Sequence, residues 1–88
     1  MLKPEAASVE FAMDTPSSNS YTMVGVIKSD AAGKEIPEAM ESAKNDLRNK
    51  AAALGATLVM IDDSIPDKDF VREKRIVHVT ARAFKVKE

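Results

Sequence analysis

Between Ile36 and Leu54 the apolar residues Ile36, Met40, Ala43, Leu47, Ala51 and Leu54 recur at helical spacing, while Glu38, Glu41, Lys44, Asn45, Arg48 and Asn49 fill the other side. This period predicts one amphipathic helix over Pro37–Leu54, with Leu47 fully buried. Pro37 suits the first turn, where a missing N–H costs nothing, and Gly55 suits the left-handed position just past the last turn. Upstream, Val9, Phe11 and Met13 alternate with Ser8, Glu10 and Ala12, the period of a half-buried strand, with residues 1–7 as a lead. Tyr21–Lys28 is a nearly continuous apolar run that reads as a central strand, in which Gly25 marks a bulge or a close backbone approach. After the helix, Leu58, Val59, Met60 and Ile61 form a short apolar run inside Thr57–Asp62, suited to a strand covered on both sides or covered by the helix on one side and partly by loops on the other. The last strand spans Lys74–Val86. Its odd positions Val77, Val79, Ala81 and Ala83 are small and apolar, as a helix-facing surface needs, and its even positions Ile76, His78, Thr80, Arg82, Phe84 and Val86 make a mixed face.

The intervening segments read as loops. Asp14–Ser20 collects turn-formers, Ser29–Glu35 is small and polar, and Asp63–Glu73 is a charged loop whose Ile65, Phe70 and Val71 are expected to tuck back onto the sheet. The resulting order is β-β-α-β-β: an α+β fold of one mixed sheet with a single long helix packed on one face. A strand–helix–strand crossover makes the second and third strands parallel members of that sheet. With 88 residues the chain, 1–88, is one domain with one core.

Charge narrows the partners. A net charge of −1 gives no general attraction for phosphate backbones, and 5% aromatic residues leave little to stack on bases, so nucleic acid is not expected. There are no cysteines, which removes disulfides, thiolate metal sites and cysteine nucleophiles. No apolar run approaches the roughly 20 residues of a membrane span.

The candidate chemistry is sparse. His78 is the sole histidine and has no second nitrogen ligand or nucleophile beside it in sequence, so it reads as a strand residue rather than a catalyst. Asp62, Asp63, Asp67 and Asp69 lack the alternation, central glycine and terminal glutamate of a calcium loop. Arg72, Lys74 and Arg75 are a weak basic group interrupted by Glu73. No serine sits in a nucleophile elbow, and Gly25, Gly33 and Gly55 fit neither dinucleotide nor phosphate-loop spacing, so no catalytic set, cofactor or metal site is expected. Lys44, Asn45, Arg48 and Asn49 form a polar helix face of the kind that is ordinarily solvated, with Asp46 and Lys50 as an i,i+4 pair beside it. The remaining site is the even face of the last strand. Ile76, Phe84 and Val86 with His78 and Arg82 make a patch that either Phe11 or the Phe70 loop covers from within, or a protein partner or second copy covers from outside.

The run AKNDLRNKAAALGATLVMID, Ala43–Asp62, resembles the core motif of a family of small bacterial envelope lipoproteins, themselves distantly similar to the outer-membrane lipoprotein that senses damage in the Rcs stress pathway. LKPEAASVEF, Leu2–Phe11, resembles the family's first strand, and YTMVGVI, Tyr21–Ile27, its second. The resemblance implies a non-enzymatic cell-envelope domain with a structural, sensory or protein-binding role. It implies a periplasmic domain held at the outer membrane by a lipid anchor preceding this sequence, with Met1 standing in for the removed leader. The disulfides of the Rcs sensor have no counterpart here. If Met1 is the native start, the competing expectation is a cytoplasmic ligand-binding or ring-forming α/β domain.

Overall fold

The computed structural model describes residues 6–87. Its elements are β1 (Glu10–Phe11), β2 (Tyr21–Gly33), α1 (Ile36–Ala53), β3 (Leu58–Asp69) and β4 (Lys74–Val86). They form one mixed four-stranded sheet in the order β1-β3-β4-β2, so the fold is α+β with a single helix. β4 runs antiparallel to both β2 and β3, which are therefore parallel to each other but separated by it, and β1 adds parallel to β3.

Helix α1 forms where the apolar period required it. Pro37 lies in its first turn and Gly55, at φ 77°, closes it. The Gly55 and Ala56 N–H groups donate to the Ala52 and Ala51 carbonyls at 3.0 and 2.9 Å, satisfying groups the helix end would otherwise leave open. Ala39, Ala43, Leu47 and Ala51 make the fully buried stripe, and three alanines among them let helix and sheet backbones approach closely. The approach is tightest at Gly33, where a side-chain Cβ would stand 2.8 Å from the Ala39 nitrogen. Opposite the stripe lie Val59, Val77, Val79, Ala81 and Ala83, so the odd positions of β4 do face the helix.

Several boundaries differ from the sequence expectation. β2 is an edge strand, not a central one, and it runs on through the supposed linker as far as Gly33. Its apolar run arises because a bulge between Met23 and Gly25 breaks the alternation and places Val24 against the core, while Met23 and Val26 stay half-exposed on the other face. Gly25 serves both anticipated roles: it lies at the bulge, and a Cβ there would stand 3.1 Å from the Leu54 side chain. Leu54 itself is exposed at the helix end rather than in the stripe. The supposed loop from Asp63 is the second half of β3, zipped to β4 as far as Asp69 paired with Lys74. From Asp62 to Lys68 this half is exposed on both faces, and Ile65, Phe70 and Val71 do not tuck back, Phe70 and Val71 standing at 78% and 93% exposure. β1 is only two residues long, so Met13 and its neighbours are not strand; the lead segment lies mostly outside the described residues.

Candidate functional site

Because the one helix covers one face, the other face of the sheet is open. It carries the even side chains of β4 and, by register, Tyr21, Met23, Val26, Lys28 and Asp30 of β2 and Leu58, Met60, Ile65 and Asp67 of β3. The face divides into an apolar end and a charged end, with an ion pair between them.

At the apolar end Phe84 is 6% exposed, between its register partners Met23 and Leu58 and with the Arg82 guanidinium 5.7 Å from its ring centroid. Neither Phe11 nor Phe70 covers it. Phe11 lies beside the helix, under Lys44 and Arg48, and Phe70 is at the hairpin turn. Around Phe84, Met23, Val26 and Val86 remain half-exposed. Arg82 is held by Asp62, its Nε and Nη2 donating at 2.8–3.0 Å, and Nη2 also points at the Met60 sulfur at 3.5 Å. The β3 bulge between Ile61 and Asp63 lies where Asp62 meets Arg82. This fork-like pair fixes a planar cation beside apolar side chains, the composition found at protein contact sites.

At the charged end His78 lies between two carboxylates. Its Nδ1 is 2.7 Å from Asp30 Oδ1 on β2, and its Nε2 is 3.3 Å from Asp67 Oδ2 on β3. The hydrogen bond to Asp30, then that to Asp67, raises the His78 pKa above its ordinary value. Asp67 is held low, first by the Lys68 backbone N–H and then by His78. A histidine with a carboxylate at each nitrogen links three strands, and its protonated form donates to both carboxylates, which is why they favour that form.

The other candidates disperse. Asp62 pairs with Arg82, Asp67 with His78, and Asp69 accepts the Val71 and Arg72 N–H groups of the hairpin turn, so the acidic group is divided among three local tasks. Among the described residues no group of three or more His, Cys, Asp or Glu side chains is placed to hold a metal ion. The basic group has one weak partner, Arg72 lying 3.9 Å from Asp69. On the helix, Asp46 and Lys50 pair at 2.9 Å as expected. Arg48 is not merely solvated: it donates to the Val9 carbonyl at 3.3 Å and to Asn45 at 3.1 Å, and its guanidinium lies 4.8 Å from the Phe11 ring centroid. That side of the helix is occupied in fastening the N-terminal segment.

No protein family, curated protein or solved structure matches the chain. Among the described residues no helix is long and apolar enough to cross a membrane.

Of the five residues singled out in sequence, Arg82, Phe84 and Val86 share the apolar end, and Ile76 and His78 the charged end. Phe84 serves as its buried floor rather than its exposed anchor. Met23, Val26, Met60 and Asp30 carry no signal of their own in the sequence, and Asp62 stands out there only as one of an acidic group. Their signal lies in pairing: each sits across from or beside an even residue of β4, and only the register brings them there.

Proposed function

We propose that this chain is a non-enzymatic protein-binding domain of the bacterial cell envelope, and that it binds through the apolar end of its open sheet face. The observation that carries the binding reading is the half-exposed group Met23, Val26 and Val86, set around a buried Phe84 and a fixed Arg82–Asp62 pair. Apolar side chains gathered on a rigid sheet, with an arginine held ready beside them, suit a partner's side chains. The envelope part rests on the resemblance of Ala43–Asp62 to small envelope lipoproteins.

Two measurements test the two parts separately. A photo-crosslinking residue placed at Val26 or Val86 in cells is expected to give a discrete protein adduct that the same residue at Glu41, on the exposed side of the helix, does not. Equal or absent crosslinking from both surfaces refutes the binding face. For the envelope reading, the protein expressed from its complete native gene takes up labelled fatty acid and fractionates with the outer membrane. Unlabelled protein in the cytosol refutes it.

A further inference from the structure

We propose that β2 is a self-pairing edge, through which two copies of this chain join antiparallel over Gly25–Gly33 about a twofold axis at Ser29. The proposal uses backbone groups at the rim of the sheet and does not depend on the reading of the open face.

Among the described residues β2 has a strand neighbour on one side only, β4, and it is 13 residues long. A strand of that length presents a row of outward N–H and C=O groups, of which a side chain, Lys50, meets the Lys28 carbonyl, and the chemistry that meets the whole of such a row is another strand. Their direction is readable. The Lys28 carbonyl accepts a hydrogen bond from Lys50 Nζ, so it faces away from β4. Alternation then turns the backbone groups of Val26, Lys28, Asp30 and Ala32 outward. The sheet's other open rim is blunted, since β3 carries a bulge at Ile61–Asp63 and then Pro66. From Gly25 to Gly33, β2 has neither proline nor bulge.

Charge selects the register and the occupant. Outward residues must oppose outward residues, so antiparallel self-pairing is confined to registers two residues apart. One of these sets Lys28 against Lys28, and another sets Asp30 against Asp30. The register between them sets Lys28 of each copy against Asp30 of the other, two attractive pairs in place of a direct like-charge pair. The same register opposes Val26 to Ala32 and Ile27 to Ala31, a larger residue to a smaller one each time, and uses the whole regular stretch from Gly25 to Gly33. About eight backbone hydrogen bonds result, four outward residues on each copy giving and accepting one apiece, with the Lys50 ammonium leaving the Lys28 carbonyl to the partner strand.

Charge reversal tests this directly. Sedimentation velocity of the parent up to millimolar concentration is expected to show a monomer–dimer equilibrium. Lys28→Asp alone, or Asp30→Lys alone, converts two attractions into two repulsions and weakens self-association by about tenfold to a hundredfold. Mixing the two variants restores it, because a chain with Asp at both positions complements one with Lys at both, and the double swap in one chain restores it as well. Circular dichroism confirms that each variant is folded. A parent that stays monomeric at millimolar concentration overturns the proposal. So do single variants that associate like the parent, or a mixture no tighter than its components.

Discussion

Replacing Leu47 with alanine tests the helix–sheet assignment most directly. Leu47 is 0% exposed and is the largest fully buried side chain, in a core cluster that holds Val9, Ile27, Val59, Val77 and Val79 as well as alanines of the helix and β4. The substitution removes about three carbons, worth roughly 2.5 kcal/mol at about 0.8 kcal/mol per buried methylene. A cavity term adds to this, and its size depends on how far the neighbours can collapse. Together these put the loss in the usual range for burying and then truncating a leucine, about 2 to 5 kcal/mol. A chain of 88 residues has about 4 to 13 kcal/mol in total, so the variant sits close to unfolding. Arg48→Ala on the next position is the control. It forfeits a long hydrogen bond to Val9 and the stacking on Phe11, about 1 kcal/mol together. Urea denaturation of parent and both variants separates the two effects through their midpoints, provided the slopes agree. A Leu47→Ala loss below about 1 kcal/mol, or equal midpoints for the two variants, refutes the assignment.

Three further outcomes follow from other parts of the sheet. Phe84→Asp places an unpaired carboxylate where the side chain is 6% exposed and is expected to unfold the domain, whereas Val86→Asp, at 56% exposure, stays folded; similar melting of Phe84→Asp and the parent would show that the floor of the apolar end is wrongly placed. The His78 pKa is raised on folding, so its contribution is complete below about pH 6.5 and is lost as pH rises through the raised folded value; that of Asp67, whose pKa is lowered, is present above about pH 3.8 and lost as pH falls through the lowered value. Thermal melts from acid to alkaline pH should therefore show the parent's advantage over His78→Gln widest between those limits, and a difference independent of pH contradicts the carboxylate pairing. Gly55→Ala costs about 1 kcal/mol through its left-handed backbone although nothing lies within 4 Å, and Gly33→Ala costs more because its Cβ meets the Ala39 backbone at 2.8 Å; the reverse order in denaturation midpoints contradicts the close approach of strand end and helix start.

What could be read in the sequence was local, and what could not was a matter of pairing. The helix was legible to within a residue because its period, Pro37 and Gly55 agree, and β4 was legible at both ends because its small odd residues form an unbroken helix-facing row. The far half of β3 was not. Asp63, Ser64, Pro66 and Asp67 have poor strand preference, and they are extended because each is held against the strand-forming run of β4. β2 was misplaced at the centre because its bulge makes an edge strand imitate one buried on both faces. The polar contacts of the open face were invisible for a related reason: Asp30 lies 48 positions from His78 and Asp62 lies 20 from Arg82, and only the strand order brings them together.

The position of β4 governs the order of assembly. It is the innermost strand by hydrogen bonding, since β2 and β3 each pair with it and not with one another, yet it is the last of the elements to be synthesised. While the ribosome makes β2, α1 and β3, the chain holds two strands with no ladder between them and a helix with half a surface to cover. Closure of both ladders of β4 thus comes late, and the one with β2 joins residues far apart in sequence, the kind of pairing that folds slowly. Until then the polypeptide exposes the apolar segments Tyr21–Ile27 and Leu58–Ile61 to whatever else can bind an extended strand.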